Sequence, residues 1–223
     1  MKEFIQTLKT STISLLMLAL MFVVVEPAIG NAVEDQFTVS QSVTSEISFI
    51  TPTSDITMSP ALAGITGGTS NGQTTVRVLT NNALGYTMTL TASSSVGMLG
   101  IANGGNIPAY VPAAGSTTPE YTFTAAANTA RFGYTVEAST TADLSQAFKD
   151  TGTICGAGSS DTVNQCWLNA STSAVTIMNR STATTASGST STIKFRVVIN
   201  SSPVPSIPQD TYVATTTLTA TTN

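Results

Sequence analysis

Cys155 and Cys166, the only two cysteines of the chain, are the residues whose type and spacing most directly suggest chemistry. An even pair this close in sequence, in a chain with an export-like start, predicts a disulfide closing a short loop that contains Gly156, Gly158, Asp161 and Asn164. Trp167, the sole tryptophan, follows at once. It suits either of two roles: an aromatic platform for a sugar, with Tyr110 and Tyr121 as further ligand-contact candidates, or a plug beside the bridge in the core.

Other devices fit poorly. The chain has no histidine, which rules out Ser-His-Asp and Cys-His catalysis. Ser191-Thr192-Ile193-Lys194 matches the Ser-x-x-Lys spacing of penicillin-binding enzymes, but that spacing aligns two side chains on a helix. Here it lies in an alternating, strand-like run, where residues three apart point to opposite faces. The acids Glu34, Asp35, Glu46, Asp55, Glu120, Glu137, Asp143, Asp150, Asp161 and Asp210 are dispersed. They form no calcium-loop motif, although a Ca²⁺ drawn from distant loops stays open. A carboxylate pair for glycoside hydrolysis is equally unmarked in sequence. The reading is a non-enzyme with no cofactor and no metal. Asn169, Asn179 and Asn200 begin glycosylation sequons, uninformative in a chain so rich in Ser, Thr and Asn.

The start of the chain carries the strongest signal about place. Lys2 and Lys9 precede an uncharged, mostly apolar run over residues 12–25, and Ala28-Ile29-Gly30 offers small residues for a signal peptidase. The run is shorter than the ~20 residues of a membrane-spanning helix, so cleavage is expected rather than a retained anchor. No cysteine ends the leader, and the final residues show no apolar tail or sorting signal. The expected division is a signal peptide over residues 1–30 and one β-sandwich domain over 31–223, secreted or at the cell surface without a stable membrane anchor.

Only 9% of residues are charged and the net charge is −4, while 41% are hydrophobic. The six Lys and Arg beyond the leader are scattered, which argues against nucleic acid as a partner. Residues 36–49 alternate, with Phe37, Val39, Val43, Ile47 and Phe49 on one face, and predict a long leading strand that is a candidate assembly element. Similar alternation predicts strands at 74–80, 86–92, 131–138, 193–199 and 211–221, with weaker ones at 54–58, 120–125 and 174–178. Asn81-Asn82-Ala83-Leu84-Gly85 reads as the turn of a hairpin joining 74–80 to 86–92. Residues 141–150 look helical, and long loops are expected near 97–119, 139–173 and 181–191. About nine short strands with punctuated turns predict an all-β, antiparallel, immunoglobulin-like sandwich.

Three stretches, residues 37–49, 76–90 and 208–220, resemble bacterial exported β-sandwich surface proteins, including fimbrial subunits and cell-wall-associated domains. In fimbrial subunits the N-terminal extension is donated as a strand to the next subunit, and the resemblance implies that role for residues 37–49. The chain departs from that family in its late, closely spaced cysteines and in Tyr212, which lies far from the end. Cell-wall domains with Trp-x-Leu motifs also end in a Thr-rich strand, but Trp167-Leu168 lacks the spacer. Two functions follow as expectations: a structural or adhesive surface protein that assembles with copies of itself, or a carbohydrate-binding module recognising cell-wall or host glycan through Trp167, Tyr110 and Tyr121.

Overall fold

The computed structural model describes residues 34–223 apart from 114 and 116. The expected leader, residues 1–30, lies outside the described residues. The described residues before Val43 belong to a unit of their own, and residues 34–42 have neither helix nor strand. Residues 43–223 form one compact antiparallel β-sandwich.

Eleven strands build it: β1 (Ile47–Thr51), β2 (Gly68–Thr80), β3 (Tyr86–Ala92), β4 (Gly97–Gly100), β5 (Asn106–Pro108), β6 (Ala130–Ala138), β7 (Leu168–Asn169), β8 (Val175–Arg180), β9 (Ser189–Ile199), β10 (Tyr212–Val213) and β11 (Thr216–Thr222). A five-stranded sheet runs β1-β2-β9-β6-β7, and two three-stranded sheets run β11-β3-β8 and β10-β4-β5. The alternation read from sequence becomes the core. Val76 and Val78 on β2, Ile193, Phe195, Val197 and Ile199 on β9, and Phe132, Tyr134 and Val136 on β6 turn inward. Across from them lie Tyr86, Met88, Leu90 and Ala92 of β3. On β8 the strict period breaks, because both Ile177 and Met178 are buried. A bulge opposite Met88 and Thr89 adds one residue and lets both point inward.

Several expectations change on contact with this topology. The long leading strand shrinks to β1, because Ile47 pairs with Thr80, the last residue of β2, and the earlier residues find no strand beside them. Phe37, Val39 and Val43 therefore stay outside the ladder, while Ile47 and Phe49 join it. Strands β2 and β3 do not form a hairpin. Strand β2 is already bonded on both edges, to β1 and β9, so residues 81–85 carry the chain across to the opposite sheet. Gly85, at φ +78°, makes that crossing possible, since a Cβ there would come within 2.1 Å of the Arg180 carbonyl oxygen.

Residues 54–58 and 120–125 are not strands. The expected loop over 97–119 contains β4 and β5, and residues 141–150 hold two single 3₁₀ turns, Thr141–Asp143 and Gln146–Phe148, instead of a helix. Asp143 in the first turn is buried and accepts hydrogen bonds from Arg180 Nη1 at 2.6 Å and Ser189 Oγ at 3.0 Å. The ion pair ties the turn to β8, and the Ser189 hydrogen bond ties it to β9.

Candidate functional site

An apolar groove of about 1020 Å³ opens between the sheets. Its floor is core: Leu90, Met98, Ile107, Phe195 and Val197, from four different strands. One wall is β10 and the first half of β11, with Leu218 facing in. The other is residues 53–65, which bear Ile56, Met58 and Leu62. Small inward residues on β2 make the opening. Ser70 and Thr74 stand where larger side chains would fill the space, and Gly72 between them lets the outer wall pack close, since a Cβ there would lie 2.4 Å from Ile56 Cγ2. The wall is hung on β2 by polar contacts: Ser54 N–H donates to Thr74 Oγ1 at 3.1 Å, and Ser59 and Asn71 exchange backbone hydrogen bonds at 2.9 Å.

Two features of the groove bear on what it accepts. Strand β11 is the end of its sheet, bonded to β3 on one side only. The Ser70 hydroxyl is buried with no hydrogen-bond partner among the described residues. The groove thus presents apolar side-chain contacts and an unpaired strand edge together, the two elements an added extended segment needs.

Among the candidate assembly residues, Phe37, Val39 and Val43 are 85%, 84% and 83% exposed. Residues 36–45 carry no charge. From Thr44 the chain is fastened to the sandwich. Asn81 Nδ2 donates to the Thr44 carbonyl at 3.0 Å, Glu46 N–H to Asn81 Oδ1 at 2.7 Å, and Thr80 Oγ1 to the Glu46 carbonyl at 2.6 Å.

The sugar-contact residues are not presented. Trp167 and Tyr110 are each 1% exposed, and Tyr121 is half-buried. With Phe123, Trp167 and Tyr110 pack on the outer face of the five-stranded sheet, above Gly133, apart from the main core, whereas Tyr121 packs against that core. The Tyr110 and Phe123 rings stack at 4.4 Å, and Phe123 meets Trp167 edge-on at 5.3 Å. Gly133 is required there, because a Cβ would sit 2.8 Å from the Leu168 carbonyl oxygen and 2.9 Å from Tyr110 Cβ. Arg196 closes the cluster from above, its guanidinium carbon 4.3 Å from the Trp167 ring centroid. Tyr110 donates its hydroxyl proton to Glu120 Oε2, and burial together with that carboxylate raises its pKa. Trp167 is a packing residue, and neither it nor Tyr110 offers a free ring face to a sugar.

Cys155 and Cys166 form the expected disulfide. The loop it closes is also pinned by Asp150, whose carboxylate accepts from Gly152 N–H at 2.7 Å and from the Thr162 N–H and hydroxyl, both at 2.9 Å. Burial alone would raise the Asp150 pKa, but these donors outweigh it and hold the value below 3.8. A depressed folded pKa adds stability at pH values above the unfolded one and loses it as pH falls through the folded value. Asp150→Asn is therefore expected to cost roughly 2 kcal/mol at pH 7, the scale of charge-assisted hydrogen bonds, with the gap to wild type narrowing as pH falls through the folded value. Chemical denaturation over a series of falling pH values measures both. A gap that stays constant throughout the acid range contradicts this role.

No helix among the described residues is long and apolar enough to cross a membrane, and no cluster of metal-ligating side chains occurs among them. No family model matches the chain, and comparison with the curated proteins finds none that matches.

Proposed function

We propose that this protein is an exported, non-enzymatic structural or adhesive surface subunit that assembles with copies of itself. In each contact the segment around Phe37–Val39–Val43 of one copy enters the groove of the next and adds a strand beside β11. The observation that carries this reading is the pairing of an uncharged, alternating, exposed segment with an open apolar groove bordered by an unpaired strand edge. Each half is costly alone: exposed apolar side chains and an open edge both favour burial in a partner. The leader-like residues 1–30, the low charge and the disulfide support an oxidising, extracellular setting.

Light scattering of the chain beginning at residue 31, over a range of concentrations, tests the proposal. Growth in mass with concentration is expected. Deleting residues 31–45 should leave a folded monomer at every concentration, and assembly that survives the deletion contradicts strand exchange.

A further inference from the structure

On the outer face of the five-stranded sheet an amine, a carboxamide and a carboxylate are held in contact. Lys194 lies on β9 and Glu137 on β6. Thr135 opposes Lys194 and Glu137 opposes Thr192, so the two charged side chains are diagonal neighbours on one face. Lys194 Nζ donates to Glu137 Oε1 at 2.6 Å and to Asn164 Oδ1 at 3.1 Å.

Asn164 reaches this point from the disulfide loop, and its backbone is fixed on both sides. Its N–H donates to the same Glu137 Oε1 at 2.8 Å, and its carbonyl accepts from Trp167 Nε1 at 2.8 Å. Its φ of +59° is a left-handed conformation that asparagine tolerates. The buried Trp167 ring under Arg196 thus braces the residue whose carboxamide meets the amine. The Lys194 and Glu137 side chains keep only 16% and 19% of their exposure. A simple surface ion pair needs neither the third partner nor this bracing.

We propose that Lys194 and Asn164 join in an intramolecular amide cross-link, with Glu137 carrying the protons. The Lys194 ammonium passes one proton to the Glu137 carboxylate, and the freed lone pair on Nζ attacks Asn164 Cγ, forming the new C–N bond. Of the two hydrogens then on Nζ, one moves to Nδ2 through the carboxyl group. The Cγ–Nδ2 bond breaks and ammonia leaves. Nζ keeps one hydrogen as the amide N–H, and Glu137 returns its extra proton to solvent. Nothing is oxidised or reduced, and no co-reactant is consumed. Ordinary amides resist amines, so the step depends on the fold holding nucleophile, carbonyl and base within hydrogen-bond reach of one another. The product ties the disulfide loop to the central strand of the sheet, a second covalent brace for a subunit that bears load or meets proteases.

Peptide mapping of the folded, full-length protein tests this. After reduction, trypsin should yield residues 150–180 and 181–196 as one branched peptide, lighter than their sum by one ammonia, with no cleavage after the acylated Lys194. Lys194→Arg, Asn164→Ala and Glu137→Gln should each give only linear peptides, while thermal unfolding and the intact Cys155–Cys166 bridge show that each variant is folded. Linear peptides 150–180 and 181–194 of unmodified mass from folded, disulfide-bonded wild type overturn the cross-link. An undiminished branched peptide from Glu137→Gln overturns the role given to Glu137.

Discussion

Replacing Phe37 and Val39 together by aspartate is expected to weaken self-association by at least 10²-fold while leaving the monomer's melting curve unchanged. Both side chains are more than four-fifths exposed, so the sandwich loses nothing when they change. In the assembled state each would enter the groove beside Phe195 and Val197. Burying a Phe or Val side chain yields about 1.5–3 kcal/mol, and each 1.4 kcal/mol is tenfold in affinity. A charge placed in that groove has no partner among Leu90, Met98, Ile107 and Leu218, so the loss exceeds that of a simple truncation. Sedimentation or light scattering of the double variant reads the shift. Equal assembly of variant and wild type contradicts the donated-segment mechanism, and a lowered melting temperature contradicts the separation of these residues from the fold.

The second large effect lies on the opposite face. Trp167→Ala should destabilise the protein by about 3–5 kcal/mol, the range for removing a fully buried large aromatic, and lower the melting temperature by roughly 10 °C. The ring is in contact with Phe123 and Arg196, and its Nε1–H satisfies the Asn164 carbonyl, so truncation opens a cavity and leaves a backbone acceptor unpaired. A residue that stacked on sugar would behave oppositely, with stability unchanged and a ligand lost. Differential scanning calorimetry beside a glycan array separates the two outcomes. Unchanged stability with loss of a discrete glycan signal returns Trp167 to a binding role.

The fold was largely legible because its strands bury one face only. The period-two runs of Tyr86–Ala92 and Ile193–Ile199 announce their own inward residues, although β9 starts four residues earlier, at Ser189, inside what reads as a loop. Partner choice leaves no such trace. Nothing in the residues of β2 says that β9 rather than β3 will occupy its free edge, which is why an Asn-and-Gly turn between two alternating runs reads as a hairpin while the chain crosses between sheets. Segment length was misjudged for a related reason. The alternation of residues 36–49 continues past the point where β2 ends, and a strand cannot outrun its neighbour. Strands β4 and β5 hid inside a Gly- and Ala-rich stretch, because each holds a single large buried residue, Met98 and Ile107.

The candidate sites were less legible still. The groove is an absence of side-chain volume at Ser70 and Thr74, and its lining comes from residues spread between Thr53 and Leu218. The pairing of Lys194 with Asn164 and Glu137 spans 30 and 57 positions and depends on the β6–β9 register. What the sequence did carry was the cysteine pair, and the aromatic beside it with its core role left as one of two alternatives.

Hydrogen exchange along Thr216–Thr222 tests strand addition most directly, because β11 is the edge that an incoming segment would occupy. Amides on the side away from β3 should exchange at least tenfold more slowly in the assembled chain than in the chain lacking residues 31–45. Adding a peptide of residues 34–46 to the shortened chain should restore that protection. Identical exchange in all three samples, with assembly verified in the first, would place the contact between copies elsewhere and contradict the groove as its seat.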